Sequence, residues 1–165
     1  MNNIGTIKEI AGLKWRILDK TEQGYLAITE ESIGDKVFDD DSNDWRKSSL
    51  REYLNGDFCK KIEDAGVKLV EFERDLMSVD GQTEYGTCKD FASLITEHEY
   101  QRYRKYLPNM NDWWWLITPW STPCNGYKYL HAVVSPSGRI LDIFNCRSRN
   151  GVRPVCIFPS SIFES

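Results

Sequence analysis

Long hydrophobic runs are missing from this sequence. No apolar stretch approaches the ~20 residues that a membrane-spanning helix needs, so membrane insertion is not expected. The opening run Met1-Asn2-Asn3-Ile4-Gly5-Thr6 has neither a basic start nor an apolar block. No signal peptide is therefore expected, and the reading is a cytoplasmic or virion-associated protein rather than a secreted one. Histidine is scarce, with only His98 and His131, and the cysteines (Cys59, Cys88, Cys124, Cys146 and Cys156) contain no C-x-x-C pair. That combination argues against a structural zinc site, and an odd cysteine count suits reduced, partly buried thiols better than a disulfide framework. A surplus of positive charge is also missing: 21 Lys and Arg face 25 Asp and Glu, for a net charge of −4. Neutralising phosphates takes clustered basic residues, so no nucleic-acid partner is expected.

What is present in quantity is aromatic surface. Phe, Trp and Tyr make up 13% of the 165 residues, with six Trp. That points to a core of large flat side chains, to a recognition surface, or to both. The length suits a single domain over residues 1–165, large enough to fold without a disulfide or a metal.

Hydrophobic alternation organises the chain. Leu13, Trp15 and Ile17 alternate with Lys14 and Arg16, and Tyr25-Leu26-Ala27-Ile28-Thr29 follows a turn at Gly24, which predicts an N-terminal hairpin. Residues 30–44 read as a polar loop, with Asp39-Asp40-Asp41 as a solvated acidic run that lacks the spacing of an EF-hand. Ser49-Leu50-Arg51-Glu52 has the form of a capping box and starts a helix. Asn55-Gly56 interrupts it, Asp57 can cap a second helix carrying Phe58, Ile62 and Ala65, and Gly66 ends that one. Residues 67–72 have strand-like composition, and residues 78–89 read as a loop. Thr96 with Glu99 caps another helix, whose Tyr100, Tyr103 and Leu107 form a buried aromatic stripe that Pro108 terminates. Trp113-Trp114-Trp115-Leu116-Ile117-Thr118-Pro119 is a strand in which Trp114 faces away from its neighbours and is expected to pack with Trp15. Residues 120–128 form a loop. Two strands around Ser135-Pro136-Ser137-Gly138 form a second hairpin, residues 145–150 an Arg-rich loop, and residues 151–158 a last strand.

Four of these segments, taken in order, carry a resemblance. They are Lys14-Trp15-Arg16-Ile17-Leu18-Asp19, then Trp45-Arg46-Lys47-Ser48-Ser49-Leu50-Arg51-Glu52-Tyr53-Leu54-Asn55, then Trp114-Trp115-Leu116-Ile117-Thr118-Pro119, and finally Gly151-Val152-Arg153-Pro154-Val155. The set resembles a bacterial and bacteriophage family of uncharacterised domains with W-R-V-L-D, W-x-x-S-x-L-R, W-W-L-R-[ST]-P and G-V-R-P motifs. Tyr53 stands where that family often has Trp, and Ile117 where it often has Arg, so a site built on that Arg does not carry over. The family is in turn similar to the C-type-lectin-like fold, which includes the formylglycine-generating enzymes and the tropism-determining tip proteins of some phages. The resemblance implies an α+β fold of C-type-lectin-like architecture. Two helices would pack on a twisted, mainly antiparallel sheet with a long loop region, and the two ends of the chain would lie side by side in one sheet.

The chemistry of those relatives does not transfer. The formylglycine-generating enzymes use a C-x-x-x-x-C pair before the closing motif, and only Cys146 lies just upstream of it here. A nucleophilic Cys146 or Cys124 with His131 is the alternative, enzymatic reading. The calcium triplets of sugar-binding lectins, Glu-Pro-Asn or Gln-Pro-Asp with a later Trp-Asn-Asp, are absent, so no metal and no cofactor is expected. The fold implied by the resemblance places residues 120–129 and 145–150 in its loop region. They carry Trp120, Asn125, Tyr127, Tyr129, Asn145, Arg147 and Arg149, the residue types that dominate binding hot spots. Tyr127 and Tyr129 suit edge-strand packing as well as ligand contact, and Arg147 and Arg149 suit a solvated loop as well as recognition. Arg153 is expected to hold a structural salt bridge with a carboxylate. The functional expectation is a non-enzymatic recognition module that takes a protein or glycan through these loops, in a phage, prophage or cell-surface setting. A cysteine-dependent enzyme and a structural subunit are the alternatives.

Overall fold

The computed structural model describes residues 2–163; Met1, Glu164 and Ser165, the ends of the expected 1–165 domain, lie outside the described residues. The fold is mixed α+β, built mostly of strands with a few short helices. In chain order the strands are β1 (Ile7–Ile10), β2 (Leu13–Lys20), β3 (Tyr25–Thr29), β4 (Asp35–Val37), β5 (Phe72–Asp75), β6 (Thr87–Asp90), β7 (Trp114–Pro119), β8 (Leu130–Val134), β9 (Ile140–Asn145), β10 (Arg149–Gly151) and β11 (Val155–Phe158). The helices are α1 (Ser49–Tyr53), α2 (Cys59–Asp64) and α3 (Glu97–Arg102). The strands form one sheet ordered β1-β2-β3-β11, a second ordered β4-β10-β7-β8-β9, and the separate hairpin β5-β6. All pairings are antiparallel except β10 with β7, where Gly151 meets Trp114.

The first sheet joins the N-terminal hairpin to the last strand, with Ile28 opposite Val155 and Tyr25 opposite Phe158. Both of its faces are covered. Trp15, Ile17, Ala27, Cys156 and Phe158 enter one core cluster, while Leu18, Leu26, Ile28, Val155 and Ile157 enter another. Two covered faces explain why β3 and β11 read as unbroken apolar runs. The same rule governs β7. Trp115 and Ile117 point to the first cluster, Trp114 and Leu116 to the second. Trp115, rather than Trp114, therefore shares a core with Trp15, while Trp114 packs edge-on against Tyr100 at 5.8 Å. Composition fixed the alternation but could not say which face met which sheet.

The expected closing strand over residues 151–158 is two strands. Pro154 has no N–H to donate to a ladder, and the chain leaves the second sheet after Gly151 and enters the first at Val155. The crossover is fixed by Val152 and Pro154, whose carbonyls accept the N–H groups of Ile33 and Thr29 at 2.8 and 3.1 Å. The Arg-rich loop is shorter than expected as well, since Arg149 and Asn150 belong to β10, paired with β4 inside what reads as a polar loop. β6 likewise begins inside the stretch read as a loop, and it pairs with β5.

The helical region departs from its sequence signals at both ends. Ser48, not Ser49, is the N-cap of α1. Its Oγ accepts from the N–H groups of Leu50 and Arg51 at 3.1 and 3.3 Å and donates to the Phe38 carbonyl at 2.6 Å. Asn55-Gly56 does not break the helix, and Asp57 starts no new one. Leu54–Phe58 form a π turn that joins α1 to α2. The Asn55 side chain turns outward there, accepting from the Phe91 and Ala92 N–H groups and donating to the Ala92 carbonyl at 2.8 Å. Leu50, Leu54, Phe58 and Ile62 remain on one buried face. α3 begins as expected, with Thr96 and Glu99 in a reciprocal capping box, and Tyr100 and Tyr103 are buried.

Candidate functional site

The C-terminal end of β7, the start of β8 and the end of β9 meet at one end of the second sheet. Trp120 donates its backbone N–H to the Leu130 carbonyl at 3.1 Å, Leu130 lies opposite Asn145, and Cys146 donates to the Tyr129 carbonyl at 2.7 Å. These backbone contacts place six of the seven candidate residues along one rim, in two adjoining groups. Trp120 and Tyr127 form an edge-to-face pair with ring centroids 4.5 Å apart, and Asn125 sits in the turn between them. Tyr127 is 44% exposed and Trp120 is half-buried. In the second group the Arg147 guanidinium lies 5.2 Å from the centre of the Tyr129 ring, and the Asn145 side chain accepts the Arg147 N–H at 2.9 Å. Lys128 approaches the same ring at 5.0 Å and Asp41 at 3.5 Å.

The seventh residue is elsewhere. Arg149 is on β10, donates to the Asp35 carbonyl at 2.8 Å, and lines a surface hollow with Lys36 and Tyr53. Pairing with β4 turns it away from the rim, so it is not part of the site.

Much of the rim's framework comes from residues that no motif marks. Asn43, fully buried, donates from Nδ2 to the carbonyls of Ser121 (2.9 Å) and Leu130 (2.8 Å), and accepts at Oδ1 from the Tyr85 hydroxyl at 2.5 Å. Its backbone N–H donates to the Lys128 carbonyl at 2.6 Å. One residue from an acidic, loop-like run thereby ties both ends of the 120–130 rim segment to the body of the protein. Asp80 performs a similar role at the surface. It accepts from the hydroxyls of Ser121 (2.6 Å) and Ser78 and from Asn125 Nδ2 at 3.1 Å. Desolvation pushes its pKa up, but those donors outweigh it and hold the carboxyl below its ordinary value. Glu84 accepts the Cys124 N–H at 2.9 Å and is also held low. The acidic run contributes too, since the Asp40 carbonyl accepts from Arg147 Nε at 2.6 Å.

The groups of the enzymatic alternative are placed differently. His131 is fully buried, lies 3.8 Å from Phe38 between ring centres, and donates from Nε2 to the Leu116 carbonyl at 2.7 Å, the assignment that a carbonyl acceptor requires. Burial drives its pKa down to about 3. Cys146 is buried and burial pushes its thiol up to about 11, while Cys124 is exposed and raised by its contact with Glu84. Among the described residues no group of three or more His, Cys, Asp or Glu side chains is placed to hold a metal ion, and no helix is long and apolar enough to cross a membrane.

The family is decided by the pattern over most of the chain: residues 23–160 match DUF6273, a domain of unknown function. The chain belongs to the DUF6273 family. No match was found among curated proteins or among solved structures. The matched region runs from the turn before β3 to the residues after β11, so the whole rim falls inside the family domain, while β1 and β2 of the first sheet precede it.

Proposed function

We propose that this DUF6273 chain is a non-enzymatic recognition module of C-type-lectin-like architecture, which binds a protein or glycan ligand through the rim of its C-terminal loops. The observation that carries the reading is the Trp120–Tyr127 pair, an aromatic corner with Tyr127 exposed and Trp120 half-buried, held by a hydrogen-bonded loop and flanked by Asp80, Glu84 and Asn125. An aromatic face stacks on the apolar face of a sugar ring, and adjacent carboxylates and amides take its hydroxyls; that arrangement favours a glycan over a protein. Tyr129 and Arg147 extend the same rim with a second aromatic and a guanidinium. The scaffold beneath is rigid by virtue of buried hydrogen bonds, which lowers the ordering cost on binding. The two chain ends sharing the first sheet, and the loops gathered at one end of the second, are the features in common with the lectin-like outline.

The second reading, a cysteine-dependent enzyme, has less support. A nucleophilic thiol needs a lowered pKa, and the Cys124 and Cys146 thiols are both raised. The test of the first reading is a glycan and surface-protein array probed with the wild-type chain and with Trp120→Ala, Tyr127→Ala and Arg147→Ala. Each substitution is expected to weaken capture by about tenfold or more while leaving the unfolding midpoint nearly unchanged. Folded variants that capture as well as wild type refute the rim as the binding surface.

A further inference from the structure

A surface hollow separate from the rim holds the arginine that the rim does not use. It has a volume of about 210 Å³ and lies between β4, β10 and the start of α1. Lys36, Val37, Ser49, Leu50, Tyr53 and Arg149 line it. Strand pairing builds it, because β4 is the edge of the second sheet and Arg149 lies opposite Val37. The Arg149 guanidinium is held at that edge by the bond from Nη2 to the Asp35 carbonyl at 2.8 Å. The side chain makes no other hydrogen bond among the described residues and is exposed, which leaves Nε and Nη1 as unused donors. Lys36 reaches the same hollow over the Tyr53 ring, with Nζ 4.1 Å from the ring centre. Ser49, exposed on the first turn of α1, adds a hydroxyl.

The charges in this wall have one sign. Among the described residues that line the hollow there is no carboxylate, and neither Lys36 nor Arg149 belongs to an ion pair among the described residues. The chain as a whole is acidic, at −4, and four other surface hollows each have at least one carboxylate in the wall. The most basic of those, lined by Arg46, Lys47, Arg51 and Lys89, also holds Glu52 and Glu71. Its two arginines are already paired with Asp44 and Asp90. Asp39 approaches the Lys36–Arg149 hollow from outside the wall, but its carboxylate is engaged. It accepts the N–H groups of Ser49, Asp41 and Ser42 at 3.0, 3.0 and 3.1 Å. Two cations sharing one small hollow repel each other, and a bound anion offsets that repulsion. A tetrahedral dianion can present two oxygens to a guanidinium and a third to an ammonium. We infer that this hollow binds a phosphate dianion, free or at the end of a phosphomonoester, through Arg149 and Lys36 with Ser49 as a neutral donor. Val37 and the Tyr53 ring give the carbon stem of an ester an apolar wall.

The test is an NMR titration of the full chain at pH 7.5 and constant ionic strength with inorganic phosphate, phenyl phosphate and acetate. Phosphate groups are mostly doubly charged at that pH. Both phosphates are expected to shift the backbone N–H signals of Ser49, Tyr53 and Arg149 along one saturable curve, with acetate at least about tenfold weaker. Tighter binding of phenyl phosphate assigns the site to an ester, and equal or weaker binding assigns it to the free anion. Arg149→Gln and Lys36→Gln should each weaken phosphate about tenfold. Arg149→Lys keeps the charge and loses the planar fork, so about a threefold loss is expected there. Lys89→Gln makes the same change in net charge in a different hollow and should leave phosphate binding unchanged. Unfolding midpoints identify the folded variants, and the exposed Arg149 and Lys36 side chains are outside both core clusters. Acetate binding as tightly as phosphate, no saturable shift with either phosphate, or equal losses in Lys89→Gln and Arg149→Gln would each overturn the inference.

Discussion

Asn43→Ala removes three side-chain hydrogen bonds at once, the buried ones to the Ser121 carbonyl and from the Tyr85 hydroxyl and the part-buried one to the Leu130 carbonyl. Each is worth about 1 kcal/mol net in a folded protein. The losses are not equivalent. The Leu130 carbonyl keeps the Trp120 N–H as a partner. The carbonyl of Ser121, a buried residue, keeps none among the described residues and adds the desolvation cost of an orphaned acceptor. The expected loss is about 3–4 kcal/mol, or roughly 10 °C in Tm for a chain of this size. Urea unfolding should show the midpoint falling with an unchanged slope. Tyr85→Phe should cost about 1 kcal/mol alone, and the Asn43→Ala and Tyr85→Phe double variant should be within about 0.5 kcal/mol of Asn43→Ala, because their shared bond is lost only once. A loss below about 1 kcal/mol for Asn43→Ala, or strict additivity in the pair, would refute the role of Asn43 as the tie beneath the rim.

Acid sensitivity should trace to His131. Its folded pKa, about 3, lies below the ordinary 6.5, so the unfolded chain binds the proton more readily. The neutral ring's contribution is complete above about pH 6.5 and is lost as pH falls toward 3, which amounts to about 2 kcal/mol between pH 7 and pH 5. His131→Gln should lose that slope whatever its absolute stability, and urea midpoints measured at both pH values decide the matter. Alkylation with iodoacetamide at neutral pH should modify Cys124 first, since Cys59, Cys146 and Cys156 are buried. Mass spectrometry should show the fast phase disappearing in Cys124→Ser, and rapid labelling of Cys146 in the native protein would revive the enzymatic reading.

The site shows how far residue type carries an argument. Trp120, Tyr127, Tyr129 and Arg147 were singled out because aromatic and guanidinium groups dominate binding hot spots, and the structure places them along one rim. Arg149 failed the same argument because strand pairing, not composition, aims a side chain. Asn43 carried no local signal. Its neighbours Ser42 and Asp44 are equally polar, and only contacts 78 and 87 residues away distinguish it. Arg153 was misread for a related reason: a buried arginine suggests an acid nearby, yet the crossover offered two carbonyls first.

Local patterning determined the N-terminal hairpin, the Thr96 capping box, the Trp-rich strand and the hairpin around Ser135-Pro136-Ser137-Gly138, because each depends on neighbours within a few residues. Tertiary structure alone decided that the last segment divides at Pro154 between two sheets, that Trp115 rather than Trp114 meets the Trp15 core, and that Asn43 underlies the rim. Those outcomes depend on partners distant along the chain, and side-chain spacing specifies a face without specifying what that face meets.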